Sequence, residues 1–255
     1  MSCVKEYLEI NNLTRTFDGV KALDDVSFSV EEKTITGLIG PNGAGKTTLF
    51  NVISGFLKPD CGKIYYNSFD ITAEHPYKIV QLGIGRLWQD VRVFPKLTVR
   101  ENVLVSRLNQ PGENPLVSFF LSKRVKETER ENLENAQKWI EFVELKEEIN
   151  KYAQDLSYGE QKLLALTRLL SGNSNLLLLD EPATGIHPKM LSKIHFLLKS
   201  LLNLGKTIII IEHSIRFVME ISDMILLMDD GKIVASGTPE DLINSPIMKK
   251  IYIGV

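Results

Sequence analysis

Short aliphatic runs and two-residue alternation set the frame of this chain. The runs 176–179 (Leu) and 208–211 (Ile) are unbroken aliphatic stretches. Runs of that length, all aliphatic, predict strands buried on both faces of a parallel sheet. Residues 31–39 alternate and then turn apolar, which predicts a strand feeding a helix over 47–55. Segments 7–16 and 22–30 predict two strands, with Asp18-Gly19 as the turn between them. Further strands are predicted over 63–67, 83–88 and 207–212. A hairpin is predicted around Asp229-Asp230-Gly231, and helices over 188–204, 215–221 and 239–244. Strands that alternate with helices imply a parallel sheet, with ligands at the carboxyl ends of its strands. Gly40, Gln89, Asp180 and His213 all fall at such ends.

The pattern changes from Leu97. Thr98 with Glu101 three residues later has capping-box spacing, predicting a helix through Ser106. Residues 109–115 predict a loop and the apolar 116–121 a short helix. Residues 123–148 predict one long charged helix, with Leu133, Ala136, Ile140 and Val143 on one face. Its charges read as a solvated face. The stretch of about 91–172 therefore reads as a helical insertion between 1–90 and 173–255. With the run from Gly40 to Thr48 fitting G-x-x-x-x-G-K-[ST], the expected fold class is α/β: a P-loop core with a mixed, mainly parallel sheet, an antiparallel β subdomain and an inserted α-helical subdomain.

Composition narrows the partners. A net charge of −2 and no evident basic stripe argue against a polyanion-binding surface, so no nucleic acid is expected. Cys3 and Cys61 have no metal-ligand spacing and form no disulfide framework, which fits a reducing compartment. Residues 1–10 carry Lys5, Glu6 and Glu9 and no apolar core, so no signal peptide is expected. No window approaches the roughly 18 apolar residues of a membrane span.

The chemistry concentrates in five places. Gly40, Pro41, Asn42, Gly43, Ala44, Gly45, Lys46, Thr47 and Thr48 fit the phosphate-binding loop G-x-x-x-x-G-K-[ST] between a strand and a helix. Such a loop aims backbone N–H groups and a positive helix end at an anion. Lys46 would reach the β- and γ-phosphates, and the Thr47 hydroxyl would sit on Mg²⁺. The strand ending in Asp180-Glu181 places Asp180 to hold Mg²⁺ and leaves Glu181 to polarise an attacking water. Gln89 can offer its amide oxygen to the metal and its NH₂ to water. His213 can donate to a γ-phosphate oxygen or be an ordinary core histidine. Ser157 can cap a helix beginning near Gly159, a second anion-binding end.

The run Leu156-Ser157-Tyr158-Gly159-Glu160-Gln161 ahead of Asp180-Glu181 resembles the signature motif of ABC ATPases. The order Phe17, 40–48, Gln89, 156–161, 176–180, Glu181, 183–187 and His213 resembles the nucleotide-binding subunits of ABC transporters over essentially the whole chain. A closer resemblance, to the ATPases of branched-chain amino acid transporters, rests on residues 83–89, 93–103, 156–161, 181–186, 211–213 and 250–254. Urea-type uptake and lipopolysaccharide-export ATPases share much of it. Tyr158 stands where the broad family has Gly, Trp88 where Phe is usual, and His187 where Asp is usual.

The resemblance implies ATP and Mg²⁺ as cofactors, with Thr47, Gln89 and Asp180 at the metal. It implies Phe17 stacked on adenine, and Glu181, His213 and Gln89 as the catalytic set. It also implies head-to-tail docking with a second ABC ATPase subunit, identical or not, whose Ser157, Gly159 and Gln161 close on the γ-phosphate. Transmembrane permease subunits and a periplasmic or extracellular substrate-binding protein complete the implied assembly. The chain would then be peripheral on the cytoplasmic face of the inner (plasma) membrane. The helical block is where membrane subunits would dock, with residues 115–121 as a possible contact patch. The alternatives are a urea-type or lipopolysaccharide-export cassette, a soluble ABC ATPase acting on nucleic acid, a P-loop small-molecule kinase, or a non-hydrolysing regulator.

Overall fold

The computed structural model describes residues 6–107 and 122–253, so the expected patch at 115–121 lies outside the described residues. The chain divides into two compact units. One comprises Met1–Gln89, Asn175–Thr184 and Leu191–Val255, and the other Asp90–Ser174 and Gly185–Met190.

The first unit carries two sheets. Strands β1 (Leu8–Phe17), β2 (Val20–Val30), β4 (Cys61–Tyr66) and β5 (Phe69–Asp70) form an antiparallel sheet in the order β2-β1-β4-β5. The second sheet contains β3 (Ile35–Ile39), β6 (Ile84–Leu87), β7 (Leu176–Asp180), β8 (Thr207–Ile211), β9 (Met224–Asp229) and β10 (Lys232–Gly237). Its order is β10-β9-β3-β8-β7-β6, parallel from β9 to β6, with β10 antiparallel at one edge. Every residue of β3, β7 and β8 is buried, which is why β7 and β8 read as continuous apolar runs rather than alternations. Helix α1 (Lys46–Ile53) follows β3, and α2 (Pro76–Gln81) precedes β6.

The second unit holds α3 (Val99–Val105), α4 (Ser122–Phe142) and α5 (Tyr158–Ser171), which pack on one another. The capping box at Thr98 and Glu101 is formed. Asn102 is fully buried and fully used. Its Oδ1 accepts the Phe94 amide at 2.8 Å, and its Nδ2 lies 3.0–3.1 Å from the Phe94, Leu97 and Thr98 carbonyls. Helix α6 (Pro188–Asn203) starts in this unit and continues in the first, which also contains α7 (Ile215–Ile221), α8 (Pro239–Ile243) and α9 (Pro246–Ile253).

One expected element needs correction, and two further helices are present. The charged helix expected over 123–148 ends at Phe142. Glu144 takes φ 60, and the Leu145 amide closes back on the Ile140 carbonyl at 2.9 Å, a left-handed helix stop that buries Leu145. Helices α2 and α9 were not expected. In α2 only Ile79 is buried while Tyr77 and Val80 face solvent, so no apolar stripe marks it.

Candidate functional site

The carboxyl ends of β3, β6, β7 and β8 meet at a cleft of about 430 Å³. It is lined by Ala22, residues 42–48, Gln89, Glu181, Ile211 and His213. Gly45, the N-cap of α1, has φ 101, and a Cβ there would stand 2.3 Å from the Ala22 carbonyl oxygen. Only glycine allows that close approach. Helix α1 has neither a side-chain cap nor an acidic residue in its first turn. Its first N–H groups are therefore left to an anion. Lys46 is buried, and its Nζ donates to the Gly40 and Pro41 carbonyls at 2.7 and 2.8 Å. Burial pushes the Lys46 ammonium below its ordinary value, while the Glu181 and Asp180 charges pull it back up.

Glu181 is the hub of the cleft. It adopts φ 51, unusual for a side chain of this size, and its amide donates to the Ile211 carbonyl at 2.9 Å. The turn separates it from Asp180 although the two are consecutive. Its Oε1 lies 2.6 Å from His213 Nε2, and its Oε2 accepts from Gln89 Nε2 at 3.1 Å. Both carboxylate oxygens are therefore aimed by side chains from neighbouring strand ends. A carboxylate held in this way, beside a phosphate-binding loop, can take a proton from water.

Glu212 shapes the turn from the other side. It is buried, and its carboxylate accepts the Ala183 amide at 2.5 Å, the Thr184 hydroxyl at 3.4 Å and the His213 amide at 3.3 Å. Sequence reasoning gave it no role. The available signal was a charged residue directly after the apolar run 208–211.

Asp180 is buried at the end of β7 and does not line the cleft. Burial pushes the Asp180 pKa above the usual carboxylate value, and the hydrogen bond and charge of Arg86 oppose that rise. Gly40 and Pro41 stand at the foot of the loop and also do not line the cleft. Phe17, at the end of β1, is 39% exposed with the Arg15 guanidinium 4.8 Å from its ring centroid, and it is not a lining residue. The oxygen donors Thr47, Gln89 and Asp180 have the hard-ligand chemistry of Mg²⁺, so the residues present fit that ion.

In the second unit, Ser157 caps α5 with a full capping box. The Ser157 amide and hydroxyl donate to Glu160 Oε2 at 2.8 and 2.7 Å, and the Glu160 amide returns to Ser157 Oγ at 3.4 Å. Gln161 Nε2 donates to the Leu156 carbonyl at 3.1 Å. A Cβ on Gly159 would contact Met190 at 3.3 Å, and one on Gly185 would meet the Tyr158 ring at the same distance.

A family model described as "ABC transporter" matches residues 23–184. The high-affinity branched-chain amino acid transport ATP-binding protein BraF of Pseudomonas aeruginosa is 38% identical over 248 residues, covering 97% of each chain. The solved ADP conformation of an ATP-binding cassette of an ABC transporter superposes with a TM-score of 0.85 at 37% identity, covering 98% of this chain and 99% of that one. A dimeric post-hydrolysis cassette bound to ADP and phosphate gives a TM-score of 0.74 at 26% identity, over 91% and 98% of the two chains.

Proposed function

The chain belongs to the ABC transporter ATP-binding proteins, whose activity is ATP hydrolysis coupled to transport, and from that membership we propose that it is the motor subunit of an importer of branched-chain amino acids. The observation that carries the mechanism is the two-sided hold of His213 and Gln89 on Glu181 inside the cleft lined by the phosphate loop.

In this reading the amides of 42–48 and the Lys46 ammonium bind the phosphates, and the helix end adds its partial positive charge. Thr47, Gln89 and Asp180 hold Mg²⁺, which when bound neutralises charge on the phosphate oxygens. Glu181 takes the proton of the attacking water. His213 keeps Glu181 in place and reaches the γ-phosphate oxygen. Phe17 supplies an aromatic face for adenine.

Ser157, Gly159 and Gln161 serve the site of a second cassette, so ATP joins two chains and hydrolysis releases them, a ligand-driven population shift. The dimeric cassette among the similar structures supports this part. No helix among the described residues is long and apolar enough to cross a membrane. Transmembrane permease subunits would therefore supply the path, a substrate-binding protein outside the membrane would deliver the cargo, and this chain would sit on the cytoplasmic face.

The test is uptake of radiolabelled leucine into proteoliposomes holding the chain, its membrane subunits and the binding protein. ATP-driven uptake that Glu181→Gln abolishes is expected. ATP hydrolysis without uptake of leucine, isoleucine or valine overturns the cargo assignment and leaves the motor assignment standing.

A further inference from the structure

Strand β6 lies at the edge of the six-stranded sheet, yet it points a guanidinium inward. The Arg86 side chain is only 4% exposed. A buried guanidinium needs a counter-charge and acceptors close by. Arg86 Nη1 donates to Asn51 Oδ1 at 2.6 Å and to Ser54 Oγ at 3.2 Å. Its Nη2 donates to Asp180 Oδ2 at 3.1 Å. The Trp88 ring covers the guanidinium at 3.9 Å, and Phe50 lies at 5.7 Å. Stacking of this kind favours the planar cation of arginine over the ammonium of lysine.

The arrangement links two parts of the nucleotide site that are distant in sequence. Asn51 lies in α1 and Ser54 caps its end, and the same helix begins with Lys46 and Thr47. Asp180 ends β7. The two ends of one rigid fork therefore set the carboxylate of Asp180 against the helix that carries the phosphate-binding residues. We propose that Arg86 is a positioning residue for Mg²⁺ binding: it orients Asp180 relative to α1, and Trp88 holds the guanidinium in that orientation. This rests on the reading of the cleft as a nucleotide and Mg²⁺ site. Partners that orient a metal-holding carboxylate contribute strongly to metal affinity without touching the metal. Lysine at this position has a single nitrogen and cannot serve both Asp180 and Asn51 in the same geometry.

The experiment measures ADP affinity by calorimetry, with EDTA and with Mg²⁺, on the full chain. The ratio of the two affinities is the Mg²⁺ tightening. In Arg86→Lys the metal-free affinity is expected to stay at the wild-type value while the tightening falls about tenfold or more. A variant with wild-type tightening overturns the proposal, as does an equal loss with and without Mg²⁺, which would mark a merely structural role. Asn51→Ala is the second variant and guards against misfolding of the first. It keeps the Arg86–Asp180 pair and leaves the other end of the fork only the longer bond to Ser54 Oγ, and it is expected to lose about threefold of the tightening, one hydrogen bond's worth. If Arg86→Lys does not fold, wild-type tightening in Asn51→Ala overturns the proposal. Failure of the wild-type chain to bind ADP at all is a separate result, which removes the nucleotide reading and the proposal together.

Discussion

Helices α1 and α5 both begin where the resemblance expects a phosphate, and their first turns are built in opposite ways. Helix α1 starts from Gly45, has no side-chain cap and carries no acid in its first turn. Helix α5 starts from Ser157, and Glu160 closes a capping box on it. The boxes at Thr98 with Glu101 and at Thr238 with Asp241 follow the α5 pattern. A capping box satisfies orphan amides and stabilises a helix by itself. It also places a carboxylate where an incoming anion would bind. The α1 terminus gives up that local stability and leaves its amides for a ligand. The α5 terminus is self-sufficient, and any phosphate arriving there meets Glu160. The first end is left open to an anion, and the second is closed by its own carboxylate.

The sharpest way to break this contrast is to give α1 what α5 has. Thr48→Glu puts a carboxylate at the third position of α1, as in a box. It is expected to lower ADP affinity about tenfold, near the upper range of a charge at a helix end. Calorimetry checks it, and unchanged affinity would mean that the α1 terminus does not govern phosphate binding.

The reverse change is milder. Glu160→Gln keeps an oxygen acceptor for Ser157 and removes the charge. ATP-driven association of two chains, followed by ultracentrifugation in a Glu181→Gln background, is expected to tighten by about threefold. Weaker association would assign Glu160 a direct role at the partner's nucleotide.

The smallest effect concerns a box away from the chemistry. Hydrogen bonds from the backbone and then the side chain of Thr98 hold the Glu101 carboxyl below its ordinary value of 4.5. A depressed folded value means that the stabilisation is present above the unfolded value and is lost as pH falls through the folded one. Urea melts should therefore show Glu101→Gln less stable than wild type at neutral pH, with the gap closing below the ordinary value. A gap that persists in acid would show that the hydrogen bonds, and not the charge, stabilise α3.

What the sequence made legible follows from how local each feature is. The phosphate loop is one continuous stretch, and the apolar run before Asp180-Glu181 carries its own strand signal. The capping boxes at Thr98 and Ser157 span three residues each. Arg86 was readable only as part of a subfamily motif, because Asn51 and Asp180 lie 35 and 94 residues away in sequence. Glu212 escaped notice because its partners, Ala183 and Thr184, sit on a different strand end. The α2 helix was invisible because one buried residue makes no periodicity.

In the proposed mechanism Glu181, aimed by His213 and Gln89, activates the water that attacks ATP. Its most direct test is single-turnover ATP hydrolysis by Glu181→Gln, with nucleotide affinity measured on the same preparation. Hydrolysis slower by about a hundredfold or more, the scale of a lost general base, is expected, with affinity essentially retained. Hydrolysis within a few-fold of wild type at retained affinity would contradict it.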